Sequence, residues 1–397
     1  MRVKALDVLR AIAVLLVIGR HFDIVGWWTM AGWTGVNLFF VLSGFLISGL
    51  LFSEFKTRSR IHVGHFLVRR GFKIYPPFYL MIGWTLGMFF IYRRPVPWPR
   101  FFGEFFFLQN YDYHFWSHTW SLAVEEHFYI ALPLLLVILT RVSRNPADPF
   151  QALPRIFLAI AVAVLATRLW VAYPLTESAV VRLLRTTYEI DGLLFGVLIS
   201  YFFHFRRAAF LEFCQRGRPW IALASCTCLA PVFFLDMLQS YFVQTAGHTL
   251  LYLGYGGVMI LAVTGADLAA GKVGKTLGVM GEALAYVGRY SYSIYLWHVP
   301  VVAWGMDLLA RKQRLPASRE AQFLIYLGSS LLIGIAMSKL VEYPALKVRD
   351  RLFPSRSAAL TPASSDPSGA EQSSAIRIGD SARGLMAGAE PPILEKG

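Results

Sequence analysis

The sequence predicts an all-α polytopic membrane protein, a bundle of about ten transmembrane helices without a soluble catalytic domain, and two observations carry that prediction. Of the 397 residues 56% are hydrophobic and only 16% charged, with mean hydropathy +0.51, a balance foreign to a soluble globule of this size. The apolar residues also collect into about ten membrane-length runs, roughly 5–25, 33–53, 74–92, 124–140, 155–173, 189–205, 219–236, 248–268, 284–309 and 321–342. The net charge of +14, from 38 Lys and Arg against 24 Asp and Glu, points in this class to loops resting on anionic membrane lipids; nucleic acid is not implied. Cys214, Cys226 and Cys228 are an odd set, two of them in an apolar run, which supports neither a disulfide framework nor a zinc site, and no metal is expected. The basic N-terminus runs into an apolar stretch with no small-residue cleavage site and reads as a retained span.

The first span, LDVLRAIAVLLVIGRHF (residues 6–22), sets Arg10 and His21 on one face. Eleven residues at about 100° each end roughly 20° past three turns, about 16 Å along the axis. Inserting a central Arg costs about 2.5–3.5 kcal/mol, so Arg10 either reaches back to the interface, with His21 merely closing the helix, or has a partner and a function. Asp7, three residues before Arg10, is placed for an ion pair. The second span, GVNLFFVLSGFLI, carries Asn37, Ser43 and Gly44, where a small residue such as Gly44 marks close helix packing.

Ahead of the third span, FLVRRGFKIYPPFY places Arg69, Arg70 and Lys73 in a basic loop, which suits the cytoplasmic side and is equally a grip for phosphate. With the N-terminus in the cytoplasm, Lys56, Arg58, Arg60, Arg206, Arg207, Arg216 and Arg218 fall inside as well; Arg311, Lys312, Arg314 and Arg319 fall outside, against the rule. The fourth span opens with HTWSLAVEEHFY (118–129), which packs His118, Trp120, Ser121, Glu125, Glu126, His127 and Tyr129 into little more than three turns. Glu125 and Tyr129 share a face there, a pattern that fits an interfacial aromatic belt as well as a site. Asp191 opens the sixth span in YEIDGLLFG, and YSYSIYLWH ends at His298, read as a satisfied polar residue of the bundle. Glu342, Tyr343 and Pro344 end the last span, because proline stops a helix. From about Ser355 the chain is Ser, Ala, Pro and Gly without an aromatic residue, giving a membrane domain over 1–350 and a disordered cytoplasmic tail over 351–397.

Taken in this order, LDVLRAIAVLLVIGRHF, GVNLFFVLSGFLI, RRGFKIYPPFY, WSLAVEEHFY, DGLLFG, YSIYLWH and the closing EYP resemble the membrane-bound acyltransferase-3 family. These are O-acetyltransferases of bacterial surface polysaccharides and related acceptors. The resemblance runs from about Leu6 to Pro344. It implies a location in the bacterial inner membrane, no bound cofactor, acyl-CoA (acetyl-CoA foremost) as co-substrate, and a carbohydrate or lipid-linked glycan as acceptor. Position by position, His21 matches the family's essential histidine and Arg10 its companion. Arg69 and Arg70 match its basic pair, and Glu125 the acidic residue of its SLxxExxFY pattern. Three positions depart: Asn37 stands where Asp is usual, Lys73 where Arg is, and His127 where Gln is. Asn37 can orient a neighbour but cannot balance a charge, and Lys73 keeps the charge while losing the bidentate fork.

The resulting expectation makes His21, Arg10 and Glu125 catalytic, with Arg69, Arg70, Lys73, Trp120, Ser121, Asn37 and Tyr129 holding substrates. The donor's phosphates sit on the basic cluster and its thioester passes Arg10 toward His21, which acts as general base or transient acyl carrier while Glu125 orients the imidazole or receives its proton. The competing class is a transporter with Arg10, His21, Glu125 and Asp191 as a substrate or proton path, whose paired interrupted helices the sequence does not display.

Overall fold

Apolar segments in a bilayer must satisfy their backbone internally, and among the residues described by the computed structural model (4–22, 26–111, 114–174, 176–235, 239–265 and 272–355) only helices and turns occur. Helix α1 (Lys4–Arg20) is followed by the short α2 (Gly26–Ala31), a 3₁₀ turn and the long α3 (Gly35–Arg58). Next come α4 (Val63–Ile91), α5 (Trp98–Phe105) in the connection, and α6 (Trp120–Val142). Helix α7 (Leu153–Val171) takes Pro154 in its first turn, where the missing N–H costs nothing. Helix α8 (Glu177–Leu183) is capped by Thr176, whose hydroxyl accepts from the Ala179 N–H at 3.1 Å. Then follow α9 (Thr186–Phe205), α10 (Arg207–Arg216), α11 (Arg218–Leu229), α12 (His248–Thr264) and α13 (Lys272–Arg289). Helix α14 (Ser291–Pro300) runs through a π turn at Val301–Met306 into α15 (Asp307–Arg311). The chain then enters α16 (Arg319–Met337) and, after a second π turn, α17 (Tyr343–Leu352).

Helix α3 is the centre of the bundle, and glycines set how close its partners come. A Cβ on Gly44 would lie 1.9 Å from the Leu193 carbonyl oxygen, and one on Gly196 would lie 2.2 Å from that of Val41, so α3 and α9 touch backbone to backbone. Helices α7 and α16 sit at the periphery and expose Leu158, Trp170 and Leu332, as lipid-facing helices do.

Three expectations are corrected, and the expected count of about ten spans is not confirmed. Six described helical stretches are long and apolar enough to cross a membrane, or seven if α9 and α10, bent by 111°, count as one span; ten are not reached. Helix α1 has 17 residues and α11 only 12, while the ninth run is divided among α13, α14 and α15. The basic loop is no loop, because α4 begins at Val63 and carries Arg69, Arg70 and Lys73 inside its early turns. Pro344 does not end the chain's helical course: it lies in the first turn of α17, where proline is tolerated. Residues 351 and 352 therefore still belong to that helix, and the remainder of the expected tail, from 356, lies outside the described residues.

Candidate active site

Putting Arg70 and Lys73 on α4 fixes where they point, because residues three apart share a helix face while Arg69 is turned about 100° away. Arg70 and Lys73 line a partly open cavity of about 890 Å³ together with Arg10 of α1, Arg289 of α13 and Glu125 of α6. Arg69 leaves it: its guanidinium pairs with Asp350 at 3.0 Å and donates to the Phe353 carbonyl, tying α4 to α17. Four cations and one carboxylate line this cavity, with Asp7 and Glu342 close behind it, so its wall is predominantly positive and favours a negatively charged ligand.

Three of these cations have partial support. Arg10 lies 3.5 Å from Asp7, and Asp7 is buried. The Arg70 guanidinium sits over the Tyr129 ring, 5.1 Å from its centroid. Lys73 has the carboxylate of Glu342 as an electrostatic neighbour. Glu342 is buried, and it accepts hydrogen bonds from Ser293 at 2.9 Å and Ser338 at 2.8 Å. The Glu125 carboxylate accepts from the Ser43 hydroxyl at 2.5 Å, so its partners are the cavity cations and α3 and not the His21 imidazole. Its expected role as orienter of His21 has no support in the geometry.

The ring beside His21 is instead that of a residue read from sequence as structural. The His21 ring meets the His298 ring edge-on at 5.0 Å between centroids, and His298 meets His118 in the same way at 5.1 Å. His298 Nδ1 bonds the Tyr295 carbonyl and His118 Nε2 the Leu296 carbonyl, the latter at 3.1 Å. A ring nitrogen facing a carbonyl carries the proton, which leaves the other nitrogen of a neutral imidazole as an acceptor. Those other nitrogens, His298 Nε2 and His118 Nδ1, are buried without a partner among the described residues. His118 lies ahead of α6, and burial, with His21 nearby, lowers its imidazole to about 3, so it stays neutral. Of the three rings, His21 alone is only partly buried.

Tyr295 stands between the two groups. It lines the cavity, its ring is 5.5 Å from that of His298, and its hydroxyl is 2.6 Å from that of Ser121 while donating to the His118 carbonyl. The cavity lining includes Arg10, Ser121, Tyr129 and Tyr295 but stops short of His21. Trp120 packs edge-on against Phe40, and Asn37 is buried in α3; neither lines the cavity. His127 bonds the Thr186 hydroxyl at 2.7 Å and so joins α6 to α9. Asp191 is elsewhere, in a two-pronged pair with buried Arg168 at 2.9 and 2.7 Å, which separates it from the path that a transporter reading assigns to it. Among the described residues no group of three His, Cys, Asp or Glu could hold a metal ion.

Comparison with known proteins bears on the same stretch. The chain is 27% identical over 366 residues, 87% of its length and 56% of the other's, to "Peptidoglycan O-acetyltransferase OatA" of Listeria monocytogenes. It is 25% identical over 318 residues, 75% of its length and 50% of the other's, to "O-acetyltransferase OatA" of Staphylococcus aureus. The chain spans about half the length of these curated relatives. No solved structure matches it. A family model described as an acyltransferase domain, of the acyltransferase-3 type, matches residues 3–339 and so takes in the cavity and all three histidines: the chain belongs to the acyltransferase-3 family.

Proposed function

We propose that this protein is a membrane-embedded O-acyltransferase that moves an acyl group, acetyl foremost, from cytosolic acyl-CoA to a hydroxyl of an extracytoplasmic or lipid-linked carbohydrate. The observation that carries the reading is the juxtaposition just described: Tyr295 is part of the wall of a cation-lined cavity, and its ring packs on His298, the middle member of a row of three imidazoles. Family membership and the names of the relatives support acyl transfer and a carbohydrate acceptor.

Arg70, Lys73, Arg10 and Arg289 hold the donor's phosphates and Glu125 limits how many anions the cavity accepts. Arg69 belongs to the α17 contact and leaves the donor site to the other four. The acyl carbon then comes to His21 past Tyr295, which has to swing aside. His21 removes the proton of the acceptor hydroxyl as the alkoxide attacks the thioester carbonyl; the C–S bond breaks, the C–O ester bond forms, and the proton passes to the departing thiolate. His298 Nε2 accepts a hydrogen bond from the imidazolium that forms on His21 and steadies it. If His21 itself attacks first, the same atoms are exchanged through an acyl-imidazole. The proposed orientation puts the α4 start, α17 and both termini in the cytoplasm of a plasma-membrane protein, with the histidines toward the outside.

The test is thioester loss from acetyl-CoA by the purified protein, with and without glycan acceptor. Acceptor-dependent thiol release that His21→Ala abolishes supports the reading. Flux of an unmodified solute without thiol release overturns it in favour of transport.

A further inference from the structure

The α14 to α15 segment has a second side, and it carries what the topology rule left unexplained. Between α4, the π turn, α15 and α16 lies a groove of about 1340 Å³, open mouth included, walled by Trp84, Tyr92, Trp297 and Trp304 and ended by Arg94 and Arg311. Trp84 is 53% exposed and Leu308 48%, so the groove opens sideways to the surroundings of the bundle, which in a membrane is hydrocarbon. Trp297, 94% buried, has an indole N–H without a partner among the described residues.

The rim is basic. Arg311 is held by Asp307 at 2.8 Å, and around that pair the two loops supply Arg93, Arg94, Lys312, Arg314 and Arg319, with Glu320 the other nearby acid in sequence. Arg94 and Arg311 share one groove, so the end of α4 and the end of α15 lie on the same side of the bundle. The wall of the groove is also the wall of the histidine row: Trp297 precedes His298, and Trp304 packs edge-on at 5.0 Å on Trp116, whose ring is 6.1 Å from that of His118. This is therefore the histidine side, where a cluster of cations gains nothing from the topology rule and needs another anion.

We infer that this groove seats the phosphate-linked hydrocarbon anchor of a lipid-linked glycan, the chain lying along Trp84, Trp297 and Trp304, the phosphate on Arg94 and Arg311, and the sugar beyond it over His21. The identity of the cargo rests on the O-acyl transfer reading; the seat for the anchor does not. An anchored acceptor also suits the mechanism, because a headgroup held at a fixed depth presents its hydroxyl to one imidazole without paying again for orientation.

The probe is a photoactivatable polyprenyl monophosphate added to the full chain in phosphatidylcholine nanodiscs, with cross-linked peptides identified by mass. Cross-links on the segments of Trp84, Trp297 and Trp304, reduced at least fivefold in Arg94→Glu/Arg311→Glu and in Trp84→Ala, support the inference, provided a tenfold excess of phosphatidylglycerol does not displace the probe. Labelling spread equally over the lipid-facing α7, labelling unchanged in the charge-reversed protein, or equal displacement by phosphatidylglycerol (a resident phospholipid only) overturns it. Thiol release from acetyl-CoA with glycan acceptor is measured on the unmodified protein alongside; its absence would sink the enzyme reading and leave the cross-link map standing on its own.

Discussion

Replacing His298 by Ala separates a positioning role from a packing one. His298 is wholly buried, its Nδ1 is committed to the Tyr295 carbonyl, and its Nε2 is the unpartnered acceptor beside His21. When His21 takes up the acceptor's proton it becomes a cation, and a hydrogen bond from a charged donor to a buried acceptor contributes about 1.5–3 kcal/mol. At about 1.36 kcal/mol per factor of ten, its loss lowers kcat about 10- to 150-fold. The cations proposed to hold the donor's phosphates line the cavity and His298 does not, so KM for acetyl-CoA is expected to stay within about twofold. His298→Gln, which can offer an amide oxygen where Nε2 lies, is expected to recover part of kcat. His21→Ala removes the base itself and costs about 10²–10⁴-fold. The assay is thiol release from acetyl-CoA with acceptor present, on protein whose thermal unfolding is recorded in parallel. An unchanged kcat in folded His298→Ala, or a raised KM alone, would refute the assignment, and so would failure of His298→Gln to exceed His298→Ala.

Three further outcomes follow from the same geometry. Arg70→Met with Lys73→Met should raise KM for acetyl-CoA at least tenfold and leave kcat much less affected, while Arg69→Met should do neither; steady-state kinetics of the three proteins decide it. Asp191→Asn strands the buried Arg168 guanidinium and should cost about 3–5 kcal/mol, read as a lowered Tm in detergent, with KM for acetyl-CoA unchanged in the folded fraction. Burial raises the Glu104 carboxyl, in α5, to about 7, although its Oε2 accepts from the Phe115 N–H at 3.1 Å. The folded state thus binds this proton more tightly than the unfolded chain, so stability present below the ordinary carboxyl range is lost as pH rises through 7, by about 3 kcal/mol. Glu104→Gln should flatten that slope in unfolding measured between pH 5 and 8, and an unaltered slope would reject the carboxyl as its cause.

What the sequence disclosed was set by distance along the chain. Arg10 with Asp7, Glu125 with Tyr129, and Gly44 as a packing residue were readable because helical periodicity acts over three to eleven residues. The α4 start was misjudged for a physical reason: charge density looks like a loop, yet Glu125, Glu342 and the Tyr129 ring let a helix carry Arg70 and Lys73 inside the bundle. Nothing local says that His118 and His298 stand near His21, that Arg289 borders the cavity, or that Glu342 lies near Lys73. A hint existed in HTWS and YLWH, each with a histidine within two residues of a tryptophan, but only packing brings these two histidines toward a third. The unconfirmed span count has a similar origin in part, since a π turn and a proline divide the ninth apolar run into pieces that hydropathy alone cannot see, while α1 and α11 are simply short.

A chamber holding four cations and opening toward water on one side would, if it were continuous, conduct anions down the voltage across the membrane. Tyr295, held by Ser121 and the His118 backbone, is the lining residue shared with the histidine row, and in the proposed function it is the residue that closes the shaft. On that proposal the same phenol ring that admits the acyl group would also keep the membrane's electrical gradient from leaking through the shaft between turnovers.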